Sequence, residues 1–210
     1  MVKRKRQASR PWWRRRRVVR RLALVAAALV VAAGLTAWAV LPRGGDGGGQ
    51  NQYLREKAPL FSLPTVAGQQ VSLAGHLGRH NLLLFFNEGI GCAPCFDQVV
   101  DLEADWERFK ALDLELVSIM VDPLPQLSAE VRTRGITTVV ASDESKSVSN
   151  AYDAMQASMH PGAKPGHSFI LVSKEGQIIW RRDWMGHGKP MYYEVDEIYK
   201  DVAEWLGKAG

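Results

Sequence analysis

The two cysteines of this 210-residue chain lie three positions apart, in the sequence Cys92-Ala93-Pro94-Cys95. A continuous apolar run, residues 81–87, precedes them, and an amphipathic stretch with apolar residues at steps of three and four follows them. This order predicts a buried strand, a short loop and a helix that begins at the cysteines. The spacing places both sulfurs on one helical turn, within reach of a disulfide bond.

Cysteine at the N-terminus of a helix has a distinct reactivity. The unpaired backbone N–H groups and the positive end of the helix dipole favour a thiolate there, so the pKa of such a thiol lies below the free value of ~8.5. We expect Cys92 to be the nucleophile and Cys95 the thiol that resolves the mixed intermediate. Pro94 suits the first helical turn, where a missing N–H is harmless. The disulfide itself carries two electrons, so no organic cofactor is implied.

Two less reactive roles for the cysteine pair are weaker interpretations. A structural disulfide that closes so small a loop constrains the unfolded chain little. A structural zinc site needs four ligands, and the chain has no second cysteine pair. We therefore predict a redox-active pair and no metal.

Alternating strand-like and helical segments follow Ala58 and predict an α/β domain with one central mixed sheet and helices on both faces. The turn at residues 174–176 predicts that the strands on either side of it form an antiparallel hairpin. The predicted strands are residues 60–63, 70–73, 81–87, 114–121, 137–141, 167–172 and 177–182. The predicted helices are residues 94–112, 125–134, 148–155 and a final one that carries an apolar stripe from Val195 to Leu206.

Basic residues are concentrated at the N-terminus. Residues 1–21 contain eleven of the 27 lysines and arginines and no acid, whereas the remaining 16 bases face 22 acids. The body of the chain therefore has a net charge of minus six. An acidic body repels polyphosphate, which argues against nucleic-acid binding.

An uncharged apolar stretch, residues 22–41, follows the basic segment. A helix of this length spans about 30 Å, the thickness of the hydrocarbon core of a bilayer. The basic flank predicts a single-pass signal-anchor in the cell membrane, with the N-terminus in the cytoplasm and the remainder extracytoplasmic. Ala37-Trp38-Ala39 has the form of a signal-peptidase site, so cleavage after Ala39 stays open as an alternative.

The chain is thus expected to have four parts. Residues 1–21 form a basic cytoplasmic segment and residues 22–41 a transmembrane helix that contacts the lipid bilayer. Residues 42–52 are rich in glycine and lack apolar side chains apart from the start of the segment, which predicts a flexible linker. Residues 53–210 form the redox domain.

Several sequence features together resemble the thioredoxin superfamily. They are a strand ending in two aromatic residues, the Cys-Ala-Pro-Cys motif, a helix that bears a tryptophan, a strand ending at Val121-Asp122, and a Phe-Ile-Leu-Val strand followed by Gly176. The opening, residues 58–64, is similar to the start of membrane-anchored TlpA/ResA-like and AhpC/TSA-type redoxin domains. The resemblance covers residues 53–207 and implies a thioredoxin-like fold.

The resemblance also assigns supporting positions around the cysteines. Gly91 stands where these oxidoreductases usually have tryptophan. The family has a cis-proline beside the redox pair, before the strand that here begins at His167. Either the Lys164–Pro165 bond is cis, or Gly166 takes the place of the proline as in peroxiredoxin-type relatives. Glu88 resembles the buried acid of thioredoxins, which assists proton transfer to the second cysteine.

The leading interpretation is an extracytoplasmic thiol:disulfide oxidoreductase that exchanges disulfides with exported proteins. Such an enzyme requires a membrane electron-transfer partner, and the direction, reductant or oxidant, stays open.

Two alternatives use the same cysteines. A peroxiredoxin-like antioxidant peroxidase would have threonine three residues before the reactive cysteine, but that position is Gly89. No arginine that would polarise a peroxide lies near Gly166 in the sequence. A Sco-like copper chaperone would use both cysteines and His167, but that family separates its cysteines by three residues rather than two.

Overall fold

The structure, a computed structural model, describes residues 56–184 and 191–209. Seven strands lie in these ranges: β1 (Ser62–Pro64), β2 (Gln70–Ser72), β3 (Asn81–Phe86), β4 (Leu114–Met120), β5 (Val139–Ser142), β6 (Ser168–Val172) and β7 (Ile178–Asp183). The helices there are α1 (Leu73–His76), α2 (Ala93–Ala104), α3 (Trp106–Lys110), α4 (Leu124–Arg134), α5 (Ser147–Ala151) and α6 (Val195–Ala209).

Five of these strands form a mixed sheet in the order β5-β4-β3-β6-β7. β3 is parallel to β4 and antiparallel to β6, and β4 is parallel to β5. The predicted hairpin is present, because β6 and β7 pair antiparallel. The predicted short strand pair is also present as the antiparallel pair β1 and β2.

β3 separates two apolar cores because its side chains alternate between the faces of the sheet. Leu83 and Phe85 belong to one core, which also includes side chains of α2, α3, α4 and α6. Leu82, Leu84 and Phe86 belong to the other core, with contributions from β1, α1 and α5. All six residues of β3 are buried. The prediction of a central strand with helices on both faces is confirmed.

Two helices differ from the predicted ranges. The long helix expected at residues 94–112 is divided at Asp105, whose φ of −106° and ψ of 11° end α2 before α3 begins. The helix expected at residues 148–155 ends at Ala151, because Asp153 takes a left-handed φ of 51°. Apolar periodicity continues through both breaks, so the pattern alone does not reveal them.

The expected transmembrane segment, residues 22–41, lies outside the described residues, as do the basic segment and the linker. Of the helices in residues 56–184 and 191–209, none combines the length and apolar character needed to cross a bilayer.

Candidate redox site around Cys92 and Cys95

The cysteines lie where the central strand turns into α2. We call residues 87–92, between β3 and α2, the redox loop. The side-chain oxygen of Asn87, which is fully buried, accepts a hydrogen bond of 2.9 Å from the backbone N–H of Gly89. The backbone N–H of Cys92 donates to the carbonyl of Gly89 at 3.0 Å. The loop is therefore a tight, internally bonded turn at the carboxyl end of β3.

Cys92 and Cys95 form a disulfide, with their Cα atoms 5.4 Å apart. Cys92 is the N-cap of α2, and its sulfur accepts a 3.3 Å hydrogen bond from the backbone N–H of Cys95. Cys92 retains 8% exposure, whereas Cys95 has none. Of the two cysteines, the one that retains some exposure is thus the one at the helix N-terminus, the position expected for a nucleophile.

Gly91 and Pro94 flank this pair. Gly91 has a φ of 96°, and no atom lies within 4 Å of the place where its Cβ would be. The backbone conformation therefore selects glycine there, and the tryptophan of the family pattern would be strained at this φ. Pro94 is in the first turn of α2, as predicted.

Glycine is required at position 89 both by the backbone conformation and by the lack of room for a side chain. Its φ is 66°, and a Cβ at this position would lie 2.0 Å from Oδ2 of Asp122. That oxygen accepts a 3.0 Å hydrogen bond from the backbone N–H of Ile90. A carboxylate thus fills the place where a threonine side chain at position 89 would have to lie.

The side chain of Glu88 is 7% exposed and contacts a residue of the segment before β6. Its carboxylate contacts Nδ1 of His160 at 3.1 Å. Its backbone carbonyl accepts a 2.8 Å hydrogen bond from Nζ of Lys164. These contacts hold the redox loop to the segment before β6, and the predicted proton-transfer role of Glu88 toward Cys95 gains no contact in the structure.

The backbone conformation decides between a cis Lys164–Pro165 bond and glycine in place of the family's proline. There is no cis peptide bond within residues 56–184 and 191–209, so the Lys164–Pro165 bond is trans. Gly166 donates its N–H to the carbonyl of Ala154 at 2.8 Å, and a Cβ on Gly166 would lie 2.2 Å from the carbonyl oxygen of Ala157. Proline at position 166 would lose that donor and collide, so glycine is required there.

His167 is completely buried beside α2. Its Nε2 contacts Oε1 of Gln98 at 3.3 Å, and the same oxygen accepts the N–H of Tyr193 at 2.7 Å. The Gln98 amide nitrogen donates to the carbonyl of Tyr193 at 2.9 Å, so Oε1 is an acceptor and Nε2 of His167 carries the proton. Burial lowers the pKa of His167 to about 3, and the ring is neutral.

The copper interpretation needs His167 close to both cysteines. No group of three or more His, Cys, Asp or Glu side chains that could hold a metal occurs in the described part of the chain. His167 and the two cysteines therefore do not form such a group.

Three residues that contact the redox loop were missed by the sequence prediction: Asp122, His160 and Lys164. A signal existed for Asp122, because β3 and β4 are parallel and a polar residue directly after β4 must lie at the same sheet edge as the redox loop. The other two lie in a segment without regular periodicity, where no sequence pattern predicts the contact.

A family model described as the AhpC/TSA family matches residues 54–181. The chain belongs to the AhpC/TSA family. A putative peroxiredoxin of Mycobacterium tuberculosis is 28% identical to it over 127 residues, which are 59% of this chain and 80% of that protein. The resemblance to AhpC/TSA-type redoxins is therefore confirmed.

Solved structures support the same fold for this AhpC/TSA domain. The reduced 2-Cys peroxiredoxin of Plasmodium vivax superimposes with a TM-score of 0.65 at 21% identity and covers 75% of this chain and 99% of its own. AhpC of Enterococcus faecalis superimposes with a TM-score of 0.64 at 17% identity and covers 75% and 94%. The thioredoxin-like fold with a central mixed sheet is thereby confirmed.

Substitution of Gly89 by alanine should destabilise the domain more than the same change at Gly78. Gly78 also has a positive φ, 72°, but has open space around it. Gly78→Ala should lower the free energy of unfolding by ~1 kcal/mol, the strain alone, and Gly89→Ala by ~2–4 kcal/mol, because it also displaces the partly buried Asp122 carboxylate from its hydrogen bond with Ile90. Chemical denaturation measures the free energy of unfolding of both variants. Equal decreases in the two would show that Asp122 moves aside at no cost in stability.

His167 should make the domain sensitive to acid. Its folded pKa of about 3 is below the ordinary unfolded value, so below pH ~6.5 only the unfolded state gains the proton. The free energy of unfolding should fall by up to ~1.4 kcal/mol per pH unit between pH ~6.5 and ~3 from this group. His167→Gln keeps an N–H donor and should show a shallower fall in denaturation at several pH values. Identical slopes would contradict a buried neutral histidine.

Proposed function

We propose that the chain is a peroxiredoxin-like thiol redox enzyme that cycles Cys92 and Cys95 between dithiol and disulfide. The observation that carries the proposal is the position of the pair in an AhpC/TSA domain: Cys92 caps α2 and keeps 8% exposure, and Cys95 is buried at bonding distance. The disulfide closes within one turn, so the cycle needs no unfolding of the helix.

Peroxide is the oxidising substrate that the relatives favour. In the proposed cycle the Cys92 thiolate attacks a hydroperoxide, the O–O bond breaks, and the departing alkoxide or hydroxide takes a proton, which leaves a sulfenic acid on Cys92. The Cys95 thiol then displaces water and closes the disulfide. An external dithiol reduces that disulfide and becomes oxidised itself. The matched relative is named a putative peroxiredoxin, which supports this alternative over the oxidoreductase that the sequence analysis put first.

Thiol:disulfide exchange with exported proteins is the second candidate, and one observation favours it. The Asp122 carboxylate fills the place of a threonine side chain at position 89. A negative charge there does not stabilise the charge that develops on peroxide oxygens. We therefore expect slow peroxide reduction, and a protein disulfide would need only to reach Cys92.

The two substrates can be compared on the reduced full-length chain. Cys92→Ser should abolish both hydrogen peroxide consumption and insulin disulfide reduction with dithiothreitol as reductant. Cys95→Ser should still let Cys92 be oxidised or attack insulin, but the sulfenic acid or mixed disulfide that forms can then be reduced only by the added dithiothreitol, so turnover should be slower and depend on its concentration. Ala93→Ser, an exposed change in the same turn, is the matched control and should keep activity.

The outcomes separate the proposals. Peroxide consumption by Cys92→Ser at the rate of the unsubstituted chain would exclude the thiol mechanism. Rapid insulin reduction with peroxide consumption no faster than that of a free thiol would make the oxidoreductase the better description.

We also propose that residues 22–41 anchor the enzyme in the cell membrane with the redox domain outside, facing exported proteins and supplied with electrons by a membrane partner. The uncharged apolar run after eleven basic residues supports this. In cells, the full chain should stay in the membrane after alkaline carbonate washing, and protease added outside should cut the domain. A chain lacking residues 22–41 is the control. Release of a fragment that begins at Val40 would instead indicate a cleaved signal peptide.

A further inference from the structure

The ammonium group of Lys164 is surrounded by oxygens of the redox site. Its Nζ donates to the carbonyl of Glu88 at 2.8 Å, to the carbonyl of Ile90, and to Oδ1 of Asp122 at 3.3 Å. A lysine ammonium has three N–H donors, and each has an acceptor here. The side chain is 28% exposed, so these bonds are partly shielded from water.

These oxygens would not stay together without a cation. Two carbonyl dipoles and a carboxylate that is 12% exposed converge on one point, and their negative ends repel each other at reduced dielectric. Lys164 and Asp122 also hold both backbone polar groups of Ile90, because the ammonium donates to its carbonyl and the carboxylate accepts from its N–H. The loop between two glycines of positive φ is thus fixed by one ion pair.

Ile90, the residue held in this way, is two residues before the proposed nucleophile Cys92. The carbonyl of Gly89 accepts the N–H of Cys92 at 3.0 Å, and the sulfur of Cys92 accepts the N–H of Cys95. A shift of the clamped loop would therefore move the sulfur away from the helix N-terminus. A positive charge bonded to the redox loop favours a thiolate at the end of that loop, whereas the negative charge of Asp122 opposes it.

We propose that Lys164 is the positioning residue of the redox site: it orders the redox loop and stabilises the Cys92 thiolate, in balance with Asp122. This inference rests on the proposed function, since it assumes that Cys92 is the reactive thiol. The other ionisable groups with contacts to this loop are Glu88 and His160, which bond each other.

A purely structural role makes a different prediction. Lys146 donates to the carbonyl of Gly162 at 3.0 Å and so holds the same segment before β6, and within the described residues it makes no hydrogen bond to the redox loop. If Lys164 served only to anchor that segment, loss of either lysine would have a similar effect. Lys146→Met is therefore the matched control for Lys164→Met.

The test is the pH dependence of Cys92 alkylation by iodoacetamide, in the full-length chain with Cys95→Ser so that one thiol remains. Lys164→Met should move the midpoint upward by about one pH unit, slow alkylation at neutral pH ~3- to 10-fold, and leave the rate at high pH unchanged. Lys164→Arg and Lys146→Met should stay close to the parent. With both cysteines present, Lys164→Met should make the reduction potential more negative, because the thiolate form is less stabilised.

Asp122→Asn should shift the pH midpoint of Cys92 alkylation in the opposite direction. Its amide oxygen can still accept the N–H of Ile90, but the negative charge is gone, so the alkylation midpoint should move downward. General loosening of the fold would not produce shifts of opposite sign in the two variants. Unchanged midpoints in both variants, or an equal shift in Lys146→Met, would overturn the inference. Absence of Cys92 alkylation in the parent chain itself would instead overturn the proposed function.

Discussion

The site depends on the burial of β3. This strand is hydrogen-bonded on both edges, by β4 and by β6, and both of its faces pack into apolar cores. It cannot slide by one residue without moving its alternating side chains into the wrong core. The residue that follows its end is consequently fixed in space, and the redox loop starts from a rigid point.

The redox loop itself is held by polar contacts rather than by packing. Asn87, Asp122 and Lys164 together hold the backbone N–H of Gly89, the N–H of Ile90 and two carbonyls. Gly89 and Gly91 both have positive φ, a backbone conformation that larger residues rarely adopt. The two glycines therefore permit this turn. Contacts from Asp122, after β4, and from Lys164, before β6, stabilise it.

The fold was largely predictable because strong hydrophobic patterns define it. The strand predicted at residues 81–87 was found from its continuous apolar run, the hairpin from the turn at residues 174–176, α6 from its apolar stripe, and the cysteine pair from its spacing. The contacts of Lys164 with the redox loop were not predictable in the same way. The contact between Lys164 and Glu88 spans 76 residues, and nothing in one sequence states that a lysine in an irregular segment will return to an earlier turn. Asp122 was also missed, but its contact could have been predicted, since parallel strands bring their carboxyl ends together.

The polar residues of the site include an uncharged set and a charged set. The uncharged set is His167, which burial keeps neutral, and Gln98, whose amide bonds both His167 and Tyr193. The charged set is the ion pair of Asp122 and Lys164, both of which contact the redox loop. Cys95 is fully buried, and burial in general favours a neutral thiol, whereas Cys92 caps α2, and a helix N-terminus in general favours a thiolate. This difference between the two sulfurs is the physical basis for the proposal that Cys92 attacks and Cys95 resolves, whichever oxidant is used.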